Sequence, residues 1–150
     1  MNFYELITKR QSERRYDTRL VESEKIMQCI EAARMAPSAC NAQPWKFIVI
    51  DEPELKKQLA SAIAGMGMNK FAFDAPTIVA IVLEKPNVMS KIGSVLKGKE
   101  YTLIDIGIVA THFCLQATDL GLATCIIGWF DEKKVRKLLQ LHVKNGFPCC

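Results

Sequence analysis

Three clusters in this 150-residue chain combine residue types and spacings that could bind or orient a ligand. The first is Arg10-Gln-Ser12-Glu-Arg14-Arg15-Tyr16. On an extended backbone alternate side chains share a face, so Arg10, Ser12 and Arg14 can converge and offer positive charge plus a hydroxyl to a phosphate. A solvated basic loop is the plainer reading. The second is Ala36-Pro-Ser-Ala-Cys-Asn-Ala-Gln-Pro-Trp45, where two prolines stiffen a loop whose Ser38, Asn41 and Gln43 supply donors and acceptors beside an indole. It reads equally as a rigid connection in which Trp45 fills core. The third opens with Asp105-x-Gly107 and, after eleven largely apolar residues, closes with Asp119-Leu-Gly-Leu-Ala-Thr-Cys-Ile-Ile-Gly128-Trp-Phe-Asp131. A strand ending at Gly128 would expose backbone amides to a flat ligand, although a glycine that only ends a strand explains it as well.

Other chemistries find no support. There is no G-x-S-x-G elbow, Walker loop or G-x-G-x-x-G turn, and no pair of carboxylates set to share a face. Gly65-Met-Gly67 follows no strand and lacks a third glycine. Cys149 and Cys150 are adjacent, outside any standard zinc spacing, and only His112 and His142 could assist, so no metal site is expected. The net charge of +4 comes mostly from residues 9–19 and 85–99, without interleaved aromatics, which argues against nucleic-acid binding.

These clusters need elements to hold them. Apolar spacing predicts helices over residues 2–9 (Phe3, Leu6, Ile7) and 23–35 (Ile26, Met27, Ile30, Ala33), with Pro37 ending the second. KFIVID, residues 46–51, reads as a buried strand, and Asp51-Glu-Pro53 opens a helix carrying Leu55, Leu59 and Ile63. TIVAIVL, residues 77–83, is the strongest strand. Residues 104–120 are apolar nearly all round, a helix buried on most faces and shared with a second subunit, closed by Gly121. Residues 123–127 read as a third strand, and Asp131 caps a last helix with Val135, Leu138 and Leu139 inward. The result is one α+β domain over residues 1–150, with more apolar helix than three strands can cover.

Composition agrees: 49% hydrophobic and 24% charged residues, with a mean hydropathy of +0.07, describe an ordinary folded domain. No window approaches the about 20 uninterrupted apolar residues of a membrane span, and the charged first residues do not resemble an export signal, so the cytoplasm is expected. Cys29, Cys40, Cys114 and Cys125 sit singly in apolar segments and read as reduced, small hydrophobes.

In register, R-x-S-x-R, P-S-A-x-N-x-Q-P-W, Asp74-Ala-Pro76 before a strand, and G-L-x-T-x-x-x-G-x-F-D resemble the nitroreductase family of FMN-dependent oxidoreductases, from Phe3 to about Leu141. The resemblance implies an α+β fold with a central, mainly antiparallel sheet flanked by helices. It also implies a homodimer with two FMN molecules at the subunit interface. Arg10 and Ser12 match positions that hold the FMN phosphate and ribityl chain, and Arg14 matches the basic residue near the pyrimidine end of the ring. Pro37, Ser38, Ala39 and Asn41 match the loop that the other subunit lays on the cofactor. Asn69 matches a side chain bonded to the pyrimidine edge, and Ile126, Ile127 and Gly128 match the backbone facing flavin N5. The implied chemistry is ping-pong: NADH or NADPH delivers hydride to N5, and a nitroaromatic, quinone or similar small-molecule acceptor removes it, with no protein acid or base required.

Two departures from the family accompany this. Gln11 stands where a second basic residue is common, and after Leu141 the residues HVKNGFPCC replace a further strand, its basic residue and a tail that embraces the partner. Fewer cations would then hold the phosphate. Alternative readings are a member that dimerises or binds flavin without turnover, and a specialised flavin enzyme such as a dehalogenase, for which residues 85–99 offer a short lid.

Overall fold

Asn2 starts helix α1 (Phe3–Lys9) by a reciprocal cap: its side-chain oxygen accepts from the Glu5 amide at 2.9 Å, and Glu5 Oε2 accepts from the Asn2 amide at 3.1 Å. No residue of α1 is buried, and Phe3, Tyr4 and Ile7 stand exposed. This computed structural model describes residues 1–84 and 100–141. The basic stretch 85–99 offered above as a lid, and His142, Cys149 and Cys150, lie outside the described residues.

Helix α2 (Ser23–Arg34) buries Ile26, Cys29 and Ala33. Ala33 and Ala36 share a core with Ile81, Ile106, Val109 and Ala110, with Trp45, Phe47 and Phe113 packed around it. Strand β1 (Trp45–Ile50) pairs antiparallel with β2 (Ile78–Leu83), from Trp45 opposite Leu83 to Ile50 opposite Ile78. Between them, Glu52 caps α3 (Pro53–Ile63), accepting from the amides of Glu54 and Leu55; these backbone bonds hold its carboxyl below the usual range. Leu59 and Ala62 pack with Ile50 and with Val135 of the final helix, α5 (Glu132–Leu138), which Asp131 caps by accepting from the Lys134 amide at 3.0 Å. Proline at the first position and acidic caps therefore act where the sequence pattern places them.

The long apolar run forms α4 (Tyr101–Asp119), three residues longer at its start than the pattern predicts. Its C-terminus is a Schellman motif: Gly121 sits at φ +75°, its amide reaches the Thr118 carbonyl at 3.1 Å, and the Leu122 amide reaches Ala117 at 2.8 Å. Burial on most faces does not hold within one chain. Ile106, Val109, Ala110, Cys114 and Ala117 form a buried stripe, while Leu103 and Ile104 are 52% and 57% exposed. Among the described residues no helix is long and apolar enough to cross a membrane.

The third strand does not form a ladder. Residues 123–127 contribute one isolated parallel bridge, Thr124 to Ser12, and the sheet of the described residues has two strands. A β-prone segment becomes a strand only where a partner lies at strand spacing. Here residues 122–127 and the outer edge of β2 face each other across a cavity of about 540 Å³, lined by Thr77, Ile78, Val79 and Ile81 on the β2 side. Cys40 also departs from expectation: it is exposed, whereas Cys29 and Cys114 are buried as predicted, and these thiols and Cys125 are all free.

Candidate functional site

The chain leaves α1 at Arg10, whose amide bonds the Leu6 carbonyl and whose φ and ψ of −63° and 120° are already extended. Two residues on, Ser12 bridges Thr124, and the Glu13 amide donates to the Thr124 carbonyl at 2.9 Å. The first cluster thus lies beside the closing segment of the third, residues 119–131. Arg10 and Arg14 form no ion pair among the described residues, and Arg14 reaches only the Ser12 carbonyl, at 3.5 Å. Arg15 likewise forms no ion pair among the described residues, whereas Arg19 holds Asp17 at 2.8 Å and Arg34 holds Glu31 at 2.8 Å. Two cations that no carboxylate pairs with among the described residues, beside an exposed hydroxyl, favour an anion; the Glu13 carboxylate is bonded to Gln11 instead. Burial pushes the Cys114 thiol up, and a hydrogen bond with Thr124 and the charge of Arg10 act against it; the Cys114 to Thr124 bond sets the Ser12 to Thr124 bridge beside this part of α4.

Tyr16 closes the first cluster, donating to the Glu13 carbonyl at 2.8 Å with its ring 6.3 Å from that of Phe71. Burial, then the neighbouring Cys125 and Glu13, push its phenol up to about 12, so it stays a neutral donor. Sequence reasoning quoted Tyr16 within the motif but assigned it no role.

Asn69 takes the left-handed conformation, at φ +54°, and its Nδ2 donates to the Trp129 carbonyl at 3.1 Å. That bond joins Asn69 to the third cluster and leaves its Oδ1 without a donor among the described residues. Ile127 and Phe130 pack on Ala60, Ile63 and Ala72, and the Asp131 amide donates to the Ala62 carbonyl at 3.0 Å, so both ends of residues 127–131 are pinned. Ile126 and Gly128 are exposed, and the amides of Ile126, Ile127 and Gly128 donate to nothing among the described residues. The result is an edge of free N–H groups between Asn69 and the arginines. A phosphorylated, flat, polar-edged ring such as FMN fits this donor set: cations and a hydroxyl for the phosphate, and free amides for the ring.

The loop holding Pro37, Ser38, Ala39 and Asn41 lies elsewhere. It passes through a short 3-10 turn (Ala39–Asn41), and Cys40, Asn41 and Gln43 sit at φ +53°, +49° and +44°. Ser38 Oγ accepts from the Gln43 amide at 3.0 Å, and Asn41 Oδ1 accepts from Gln43 Nε2 at 3.3 Å. Trp45 packs on the core. Much of the loop's polar chemistry is therefore spent on its own shape, as the plainer reading expected. One link to the rest is the Ala39 amide, which donates to Asp105 Oδ1 at 3.1 Å. Along α4, Asp105 and Cys114 are about 14 Å apart at 1.5 Å per residue. Within one chain, then, Arg10, Ser12, Arg14, Asn69, Ile126, Ile127 and Gly128 come together, and Pro37, Ser38, Ala39 and Asn41 do not join them.

Comparison with known proteins gives one result. The family model described as the nitroreductase family matches residues 7–67 and 64–150. An oxygen-insensitive NADPH nitroreductase of Helicobacter acinonychis is 26% identical over 97% of this chain and 83% of its own. A nitroreductase family protein from Clostridium novyi NT superposes with a TM-score of 0.84 at 30% identity, covering 99% of this chain and 82% of that one. An FMN-dependent nitroreductase from Clostridium difficile R20291 superposes at 0.80 with 29% identity, covering 96% and 82%.

Proposed function

The chain belongs to the nitroreductase family and has its fold, and from that premise we propose that it is an FMN-dependent oxidoreductase passing hydride from NADH or NADPH to a small-molecule acceptor. The observation that carries the proposal is the juxtaposition of Arg10 and Arg14, which form no ion pair among the described residues, with residues 126–128, whose amides donate to nothing among them, held together by the Ser12 to Thr124 bridge. Arg10 and Ser12 would hold the phosphate and ribityl chain. Arg14 would set positive charge near the pyrimidine end, Asn69 would offer Oδ1 to a ring N–H, and Ile126, Ile127 and Gly128 would face N5. When bound, FMN supplies two-electron chemistry at N5, accepting hydride from the nicotinamide and yielding it to a nitroaromatic or quinone in ping-pong order. The chain's own part is to bind, orient and set charge; no side chain here must move a proton.

The loop of residues 37–41 would serve the cofactor of a second protomer. Its distance along α4 from Arg10 supports this, as does the apolar surface that Phe3, Tyr4 and Ile7 of α1 and Leu103 and Ile104 of α4 leave in water. A symmetric homodimer would cover that surface and complete each site with the other chain's loop.

The test is an absorption spectrum of the purified protein, with FMN added if needed, before and after NADH or NADPH without oxygen. A flavin band near 450 nm, on the order of the free cofactor's position, should bleach on adding the nicotinamide. A protein that takes up no FMN overturns the proposal; one that binds FMN without bleaching favours the binding-only reading.

A further inference from the structure

We propose that Asp105 is a positioning residue: its carboxyl group holds the loop of residues 37–43 in the left-handed shape that presents Pro37 to Asn41 to the cofactor. This rests on the FMN reading above and adds to it a residue for which that reading has no use.

The geometry begins with burial. Asp105 is 4% exposed, on a helix whose buried stripe is otherwise almost wholly apolar. Its Oδ1 accepts from the Ala39 amide at 3.1 Å, whereas its Oδ2 is buried with no partner among the described residues. A carboxyl oxygen out of water and unbonded lowers stability, so Asp105 is a poor choice for packing alone. What it does is local. Three non-glycine residues within four positions, Cys40, Asn41 and Gln43, are left-handed, a conformation that costs free energy at each and persists only where the surroundings hold it. Within the loop, the Asn41 amide bonds Ser38 and the Ala42 amide bonds Ala39, so the turn is built on Ser38 and Ala39. Asp105 grips that base. At the other end the Pro44 carbonyl accepts from the Glu84 amide at 2.9 Å, beside β2. The strained stretch is thus suspended between α4 and the sheet, and releasing Asp105 frees the half that carries Ser38, Ala39 and Asn41.

The experiment compares Asp105→Asn with Asp105→Leu. Asparagine keeps an oxygen for the Ala39 amide; leucine fills similar space with no acceptor. Two readouts are needed: hydrogen exchange at the Ala39 amide without cofactor, and FMN affinity by fluorescence titration. In the leucine variant Ala39 should exchange about tenfold faster and FMN should bind about tenfold more weakly, as loss of one such bond predicts. Its melting temperature should change little, because the loss of the Ala39 bond is offset by the removal of an unbonded oxygen from the core. The asparagine variant should retain both readouts. If leucine prevents folding, Ala39→Pro removes the same bond from the loop side, at a site where Ser38 already has the extended ψ of 156° that a following proline needs. Unchanged exchange and affinity in the variant lacking the bond overturn the proposal, as does an asparagine variant that behaves like leucine. If the wild-type protein binds no FMN, the functional reading fails, and slow Ala39 exchange restored by asparagine but not leucine still establishes the anchor.

Discussion

Arg10 is the residue on which the most depends, because it forms no ion pair among the described residues where the chain turns from helix to strand-like backbone. A charge-assisted bond to a phosphate is worth about 1.5 to 3 kcal/mol. Arg10→Ala combined with Ser12→Ala should therefore weaken FMN at least tenfold, measured by fluorescence titration, while thermal stability changes little. Equal affinity in the double variant would put the phosphate elsewhere. Tyr16 makes a pH-dependent prediction. Its phenol ionises at about 12 in the folded chain against an ordinary 10.0, so its contribution to stability is complete below about pH 10 and is lost as pH rises toward 12. Urea unfolding at several alkaline pH values should show the wild type losing stability over that interval relative to Tyr16→Phe. Parallel losses would mean that the phenol ionises normally.

At the scale of elements, the site depends on how the segment after α4 is clamped at both ends. The Schellman turn at Gly121 reverses the chain, and Asp131 both caps α5 and ties its own amide to Ala62 on α3. Asp131→Ala should remove the cap, at a cost of about 1 kcal/mol, and lower the melting temperature by about 2–4 °C. Calorimetry checks it, and no change would show that packing of Val135 and Leu139 alone holds α5. Between these clamps lies an extended run with a single bridge, which explains how residues 126–128 keep their amides free: a full ladder would have used alternate N–H groups.

For the whole molecule, the decisive feature is that the donor-rich cluster and the 37–41 loop meet α4 at points about 14 Å apart, near Cys114 and at Asp105. A second copy is the simplest way to unite them. Sedimentation at low micromolar concentration should show a dimer, and Ile104→Asp, which sets a charge in the exposed apolar face, should yield monomer with weakened FMN binding. A folded wild-type monomer with full FMN affinity would mean that one chain completes the site.

The sequence by itself determined the local features. Periodicity located α1 to α5 to within a few residues, and Asn2, Pro53, Gly121 and Asp131 act at the ends where their chemistry places them, because caps and helical stripes are read within one or two turns. The motifs R-x-S-x-R and G-L-x-T-x-x-x-G-x-F-D likewise named residues that meet in space. Only the tertiary structure decided the non-local matters. Residues 123–127 have the composition of a strand, but pairing needs a neighbour, and among the described residues only Ser12 is supplied. Residues 104–120 look buried all round because apolarity says that a face must be covered and not by which chain. Asp105 read as the opening of the third cluster, in Asp105-x-Gly107, and its bond to Ala39 spans 66 positions that no local pattern connects. The sequence marked it as an acid at the head of an apolar run, and what that acid holds is a property of the fold.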